Sequence, residues 1–236
     1  MILIGMFDSP FVRRVAVSMN LLGLGYEHKN WSVGKDFELI RQFNPLGRVP
    51  TLVLADGETL IESGAILDFL DESVGPERAL LPPRGKARRD ALKIMAIATG
   101  AAEKGVLQVY EGAFRPPEKR HEPWAERCRV QMQGALAELE RLSQARAGEW
   151  LLGERLTQAD VTTTCAFTFL CDALSVHSRP AYSGLAALSE RCEALPAFSS
   201  VRARFFNPGS PAHGPGGESA APDRERHAPG RERAPH

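Results

Sequence analysis

The chain has 236 residues, 43% of them hydrophobic, with 29 basic and 29 acidic side chains. That is enough apolar material for one large core or two small ones. The zero net charge removes the usual electrostatic case for nucleic acid or an anionic membrane surface as the main partner. In chain order, residues 2–7, "ILIGMF", form an apolar run that fits a buried strand. After Ser9-Pro10 the period changes: Val12, Val15, Ala16, Met19 and Leu22 fall at helical spacing, and Gly23 and Gly25 supply the stop. Residues 26–33 read as a second strand, and 35–43 as a weaker helix carrying Phe37, Ile40 and Phe43. "RVPTLVLADGETLIES" reads as two strands joined by Asp56-Gly57, a hairpin signal. From Ser63, Ile66, Leu67, Leu70 and Val74 predict a third helix.

Residues 75–90 break the pattern with prolines and charge and make the best inter-domain linker. Beyond it only helices are predicted, over roughly 86–114, 122–146, 158–174, 184–193 and 197–206. The third opens on Thr157 with Asp160 three residues later, resembling a capping box, and Leu156 and Val161 flank it at staple positions. The tail from Asn207 is rich in Pro, Gly and charge and too poor in apolar residues to offset its ordering entropy, so disorder is expected. Cys128, Cys165, Cys171 and Cys192 form no Cys-x-x-Cys and no zinc spacing, so reduced thiols and no metal are expected. The start lacks the pattern of a signal peptide, and no apolar stretch reaches the ~18 residues of a membrane span. A soluble, cytoplasmic protein with no membrane partner is the expectation.

Four motifs add specificity: "SPFVRR" at 9–14, "NPLGRVPTL" at 44–52, "ESGAILDFL" at 62–70 and "LLGERLTQADV" at 151–161. In this order, a βαβαββα unit followed by helices resembles the glutathione transferases over residues 1–206. They look like that family's active-site turn, its loop into a cis-proline, its γ-glutamyl segment and its helical-domain cap. The resemblance implies a thioredoxin-like α/β domain with a mixed four-stranded sheet over 1–78, a linker at 79–88, an all-α domain over 89–206 and a tail at 207–236. It also implies glutathione as co-substrate, a small hydrophobic electrophile and a homodimer.

Ser9 precedes Pro10, a favoured first helical residue, so Ser9 sits at an N-cap. Capping alone explains that position. In serine-type members of the family, the same hydroxyl donates to the sulfur of glutathione. A free thiol of pKa near 8.5 is only about 3% thiolate at pH 7, and the thiolate is the nucleophile. Lowering that pKa by about two units requires ~2.7 kcal/mol. One charge-assisted hydrogen bond contributes ~1.5–3 kcal/mol and a helix N-terminus ~0.3–1, so no general base is required. A carboxylate at Asp8 would oppose ionisation, so its side chain is expected to point away.

The resemblance further assigns Val49, ahead of a cis Pro50, to backbone pairing with the cysteinyl unit. It assigns Glu62 to the ligand ammonium and Ser63, read as a second N-cap, to the γ-glutamyl carboxylate. Arg48 would reach the glycyl carboxylate. Arg13 and Arg14 are expected to pair with acids in the helical domain or across a dimer. Phe11 and Tyr110 are candidates for the electrophile pocket. Val106, Tyr110 and Phe114 recur at four-residue spacing, which fits either core packing or a pocket wall. Two other functions remain open: a zeta-like glutathione-dependent isomerase, against which Asp8-Ser9-Pro10 replaces the branch's Ser-Ser-Cys, and a non-enzymatic interaction module on the same scaffold.

Overall fold

The computed structural model describes residues 1–176 and 181–207. The tail foreseen as disordered therefore lies, apart from Asn207, outside the described residues.

The first half runs β1 (Ile2–Ile4), α1 (Pro10–Leu22), β2 (Glu27–Lys29), α2 (Phe37–Arg41), β3 (Thr51–Val53), β4 (Thr59–Ile61) and α3 (Ser63–Val74). The sheet order is β2-β1-β3-β4; β1 is parallel to β2 and antiparallel to β3, and β4 is antiparallel to β3. This is the mixed sheet of a thioredoxin-like unit. Alternation along the strands splits the core. Leu3 and Leu52, paired across β1 and β3, pack with the apolar faces of α1 and α3. Ile4 and Val53 face the other way, onto Ile40 of α2. The Asp56-Gly57 turn closes the β3–β4 hairpin, with Gly57 at φ 92° and the Asp56 carboxylate accepting from the Glu58 N–H.

The second half is helical: α4 (Gly85–Phe114), α5 (Glu122–Gln144), α6 (Gln158–Leu174), α7 (Ser183–Glu193) and α8 (Pro196–Ser199), with a short 3-10 turn at Pro117–Lys119. No helix among the described residues is long and apolar enough to cross a membrane. Helix α6 packs on α4 and α7 and also on α1, so it joins the two halves. It is buried on nearly every side, as a helix in the middle of a core must be. The capping box read at its start is present. Buried Asp160 accepts from the Thr157 N–H and hydroxyl, both at 2.9 Å, and from the Leu151 N–H at 2.8 Å. Burial pushes the Asp160 carboxyl up, against the opposing pull of those donors.

The last predicted helix is corrected: α8 is one turn, and residues 202–207 are neither helix nor strand. Arg13 supplies the reason. Its Nη2 donates to Phe198 O and its Nε to Val201 O, both at 3.2 Å, taking carbonyls that a longer helix would use. Arg13 also meets Glu193 at 2.7 Å and Thr168 Oγ1 at 3.0 Å, the expected pairing with the helical half.

Replacing Asp160 with Ala strands three buried donors at once. The Asp160→Ala variant should lose about 3 kcal/mol of stability in urea unfolding, and Asp160→Asn, which keeps an acceptor, distinctly less.

Candidate active site

Three backbone segments converge at Gly5: the end of β1, the start of α1 and the turn before β3. Gly5 has φ 128°, and a Cβ there would stand 2.5 Å from Val12 Cγ2 and 2.8 Å from Val49 Cβ. Only glycine allows both the conformation and the approach. His28 fixes the junction from behind, with its Nε2 at 2.7 Å from Gly5 O and its ring stacked 3.8 Å from Phe7.

This convergence puts Ser9, Phe11 and Val49 on one cavity of about 810 Å3, together with Arg48 and Tyr110. Ser9 is the N-cap of α1, but its Oγ accepts from the Val12 N–H at a long 3.5 Å. Its hydroxyl proton has no acceptor among the described residues. The Val49-Pro50 bond is cis. Neither the N–H nor the C=O of Val49 is paired among the described residues, so both remain available at the cavity wall. Asn44 shapes the loop before it, donating to Arg48 O at 2.8 Å and accepting from the Leu46 N–H at 3.0 Å. Within that loop Gly47, at φ 61°, lies against the Phe37 ring, where a Cβ would collide.

Asp8 does not point away. It lines the cavity, and its Oδ2 accepts from the Phe206 N–H at 2.9 Å. Burial pushes its carboxyl up, while the N–H groups of Phe206, Asp8 and Ser9 pull it down.

Glu62 and Ser63 are not among the residues lining the cavity; they sit together at the start of α3. The cap assignment is corrected: Glu62, at φ 71°, is the N-cap and its carboxylate accepts from the Gly64 N–H at 2.8 Å. Ser63 is the first helical residue, because Arg14 draws its hydroxyl inward. Arg14 Nη2 donates to Ser63 Oγ at 2.7 Å, and Ser63 in turn reaches Glu62 Oε1 at 3.3 Å. A non-glycine residue in this backbone region costs of order 1 kcal/mol, a strain that often marks a ligand clamp. Arg14 therefore departs from the expected acid pairing; its hydrogen-bond partners are Ser63 and, at 3.5 Å, Thr162. Burial lowers its guanidinium pKa and the field of Glu62 raises it. The repeated "RR" is visible in the sequence, but its division of labour between α6–α8 and α3 is not.

The stripe Val106, Tyr110 and Phe114 resolves as pocket wall. The Tyr110 and Phe114 rings meet edge-on at 5.1 Å, and burial pushes the Tyr110 hydroxyl up. Phe169, Phe205 and Phe206 complete the wall and were missed by sequence reading, since the last two were assigned to a helix. No cysteine lines the cavity. Burial pushes Cys165 and Cys192 up to about 12 and Cys171 up to about 11.

The family model described as the glutathione S-transferase N-terminal domain matches residues 3–78, and that of the C-terminal domain matches 122–191. This chain belongs to the glutathione S-transferase family. A transferase from Methylobacterium radiotolerans, solved in complex with glutathione sulfonate, superposes with a TM-score of 0.81 at 29% identity, covering 87% of this chain and 95% of that one. A family member from Pseudomonas fluorescens with bound glutathione gives 0.74 at 30% identity, covering 86% and 99%. Maleylacetoacetate isomerase of Rattus norvegicus is 28% identical over 167 residues, 68% of this chain and 73% of the rat protein. The transferase architecture is thus shared across both halves.

The thiols of this family member are predicted to be inert. Pretreatment with iodoacetamide at pH 7, followed by desalting, should leave ligand binding and any activity within about twofold of untreated protein, because burial keeps Cys165, Cys171 and Cys192 protonated and Cys128 is itself buried.

Proposed function

We propose that this family member binds glutathione and ionises its thiol for attack on a small apolar electrophile. The observation that carries the reading is the unspent Ser9 hydroxyl at the start of α1, on the same cavity as the unpaired Val49 backbone. The solved relatives with glutathione or its sulfonate bound support the choice of ligand.

On this reading the tripeptide lies along the cis-proline turn as one further strand, its cysteinyl N–H and C=O paired with Val49. Its sulfur then meets the Ser9 O–H. One hydrogen bond to a developing anion, reinforced by the first free N–H groups of α1, reaches the ~2.7 kcal/mol that two pKa units require. Arg48, exposed at the rim, meets the glycyl carboxylate. At the other end Glu62 accepts from the ligand ammonium, and the Ser63 N–H with the α3 N-terminus holds the γ-glutamyl carboxylate. Arg14, buried beneath Ser63, places positive charge under that anion. The Asp8 and Glu103 carboxylates both line the cavity and oppose an anion there, and the bond that Asp8 accepts from the Phe206 N–H draws its charge toward that donor. The thiol proton passes to solvent, and the thiolate adds to the electrophile, whose leaving group departs with the bonding pair.

Similarity to the rat isomerase favours a second reaction on the same thiolate, reversible addition that permits cis–trans isomerisation. An assay with maleylacetoacetate against one with an aryl halide separates the two.

Ser9→Ala should lower kcat for aryl-halide conjugation by about 10- to 100-fold at pH 7, the loss of one charge-assisted bond. Calorimetry should show glutathione affinity changed less than about threefold, since Ser9 is one contact among many. Full activity in Ser9→Ala would remove the assignment. No heat of binding with millimolar glutathione and wild-type protein would remove the transferase reading and leave a non-enzymatic module.

A further inference from the structure

Residues 202–207 have no ladder or helix of their own to hold them, yet they place two rings, Phe205 and Phe206, on the cavity beside Ser9. Their position depends on side-chain anchors from both halves of the molecule. From α6, Asp172 Oδ2 meets Arg202 Nη1 at 2.6 Å, and the Phe169 ring meets Phe205 edge-on at 5.8 Å and 71°. From the first half, Asp8 Oδ2 accepts the Phe206 N–H at 2.9 Å, and the Lys35 ammonium lies 5.2 Å from the Phe206 ring centre. The segment is thus tied to both halves, and its two rings line the same cavity as Tyr110 of α4.

We propose that this segment is a selectivity wall: Phe205 and Phe206, held in place by the Asp8 carboxylate, make the cavity prefer an aromatic electrophile over a small alkyl one. The proposal names the substrate class of the transferase reading and rests on it for its kinetic arm. A carboxylate one residue from the activating hydroxyl opposes thiolate formation, so its presence there needs a compensating task. Its bond to Phe206 supplies one, which makes Asp8 a positioning residue. A flat ring in a cavity lined by Tyr110 and the two phenylalanines gains edge and face contacts, each worth about two- to twelve-fold in affinity. A methyl or ethyl group has no π face and offers little area for such contacts.

Four variants test this: Phe205→Ala, Phe206→Ala, Phe206→Leu and Asp8→Ala. With 1-chloro-2,4-dinitrobenzene, the two phenylalanine-to-alanine variants should raise KM by about fivefold or more, while KM for iodomethane and calorimetric glutathione affinity stay within about twofold. Phe206→Leu, which keeps bulk and guards against a folding loss, should fall between wild type and Phe206→Ala. Asp8→Ala should match Phe206→Ala in aryl KM, and the double variant should be no worse than either alone, because both remove one wall. A second arm needs no glutathione: binding of the neutral dye N-phenyl-1-naphthylamine should weaken about fivefold in both alanine variants of the wall. Equal effects on aryl and alkyl substrates, or additive effects of Asp8 and Phe206, would overturn the proposal. So would tighter dye binding once a ring is removed, since the rings would then be obstructing the site. If wild-type protein binds no glutathione, the transferase reading fails by itself and the dye arm still decides the wall.

Discussion

The approach of α1 and the Val49-Pro50 turn over the bare Cα of Gly5 is the constraint on which the site depends. With any side chain at this position, Val12 and Val49 could not both stay where they are. Their closeness sets the Ser9 hydroxyl and the unpaired Val49 backbone on one cavity, which is what the proposed hold on glutathione, along its main chain and at its sulfur, requires. The site is thus built from the start of a helix and a turn anchored to a sheet. Such elements move little, and geometry matters because electrostatic stabilisation needs donors already in place.

Buried charges fix the rest of the frame. Two adjacent arginines on α1, almost fully out of solvent, go in opposite directions: Arg13 to the carbonyls and carboxylate of the helical half, Arg14 to Ser63 at the start of α3. Breaking such a pair leaves an uncompensated charge indoors, so these contacts specify the docking of α1 more than they add to net stability. Asp160 does the same for α6, satisfying a loop and a helix start with one carboxylate. The cavity between the halves keeps its shape because α1, α3 and α6 are tied to one another by groups with no cheaper arrangement.

Much of this was legible in the chain. Periodicity and stop signals located every helix but the last, and Asp56-Gly57 located the hairpin, because those features depend on neighbours in sequence. Ser9, Arg48 and Val49 were legible through local motifs, and the structure brings them to one cavity. Long-range competition hid the rest. Ser63 reads as a cap until Arg14, 49 residues away, takes its hydroxyl and leaves Glu62 to cap instead. Residues 202–206 read as helix until Arg13, more than 180 residues away, takes the carbonyls of Phe198 and Val201. Asp8 looks like a hazard to be turned aside until the Phe206 N–H is found upon it. In each case one side chain from a distant segment decided between two locally acceptable states.

The central claim is that one hydroxyl at the start of α1 keeps a bound thiol ionised near neutral pH. Ultraviolet absorbance of the thiolate, followed in bound glutathione as pH is raised, tests it most directly. Wild-type protein should give an apparent pKa about one to two units below that of the free tripeptide, and Ser9→Ala should return it most of the way. Identical titrations for the two proteins, or no depression in either, would contradict the claim.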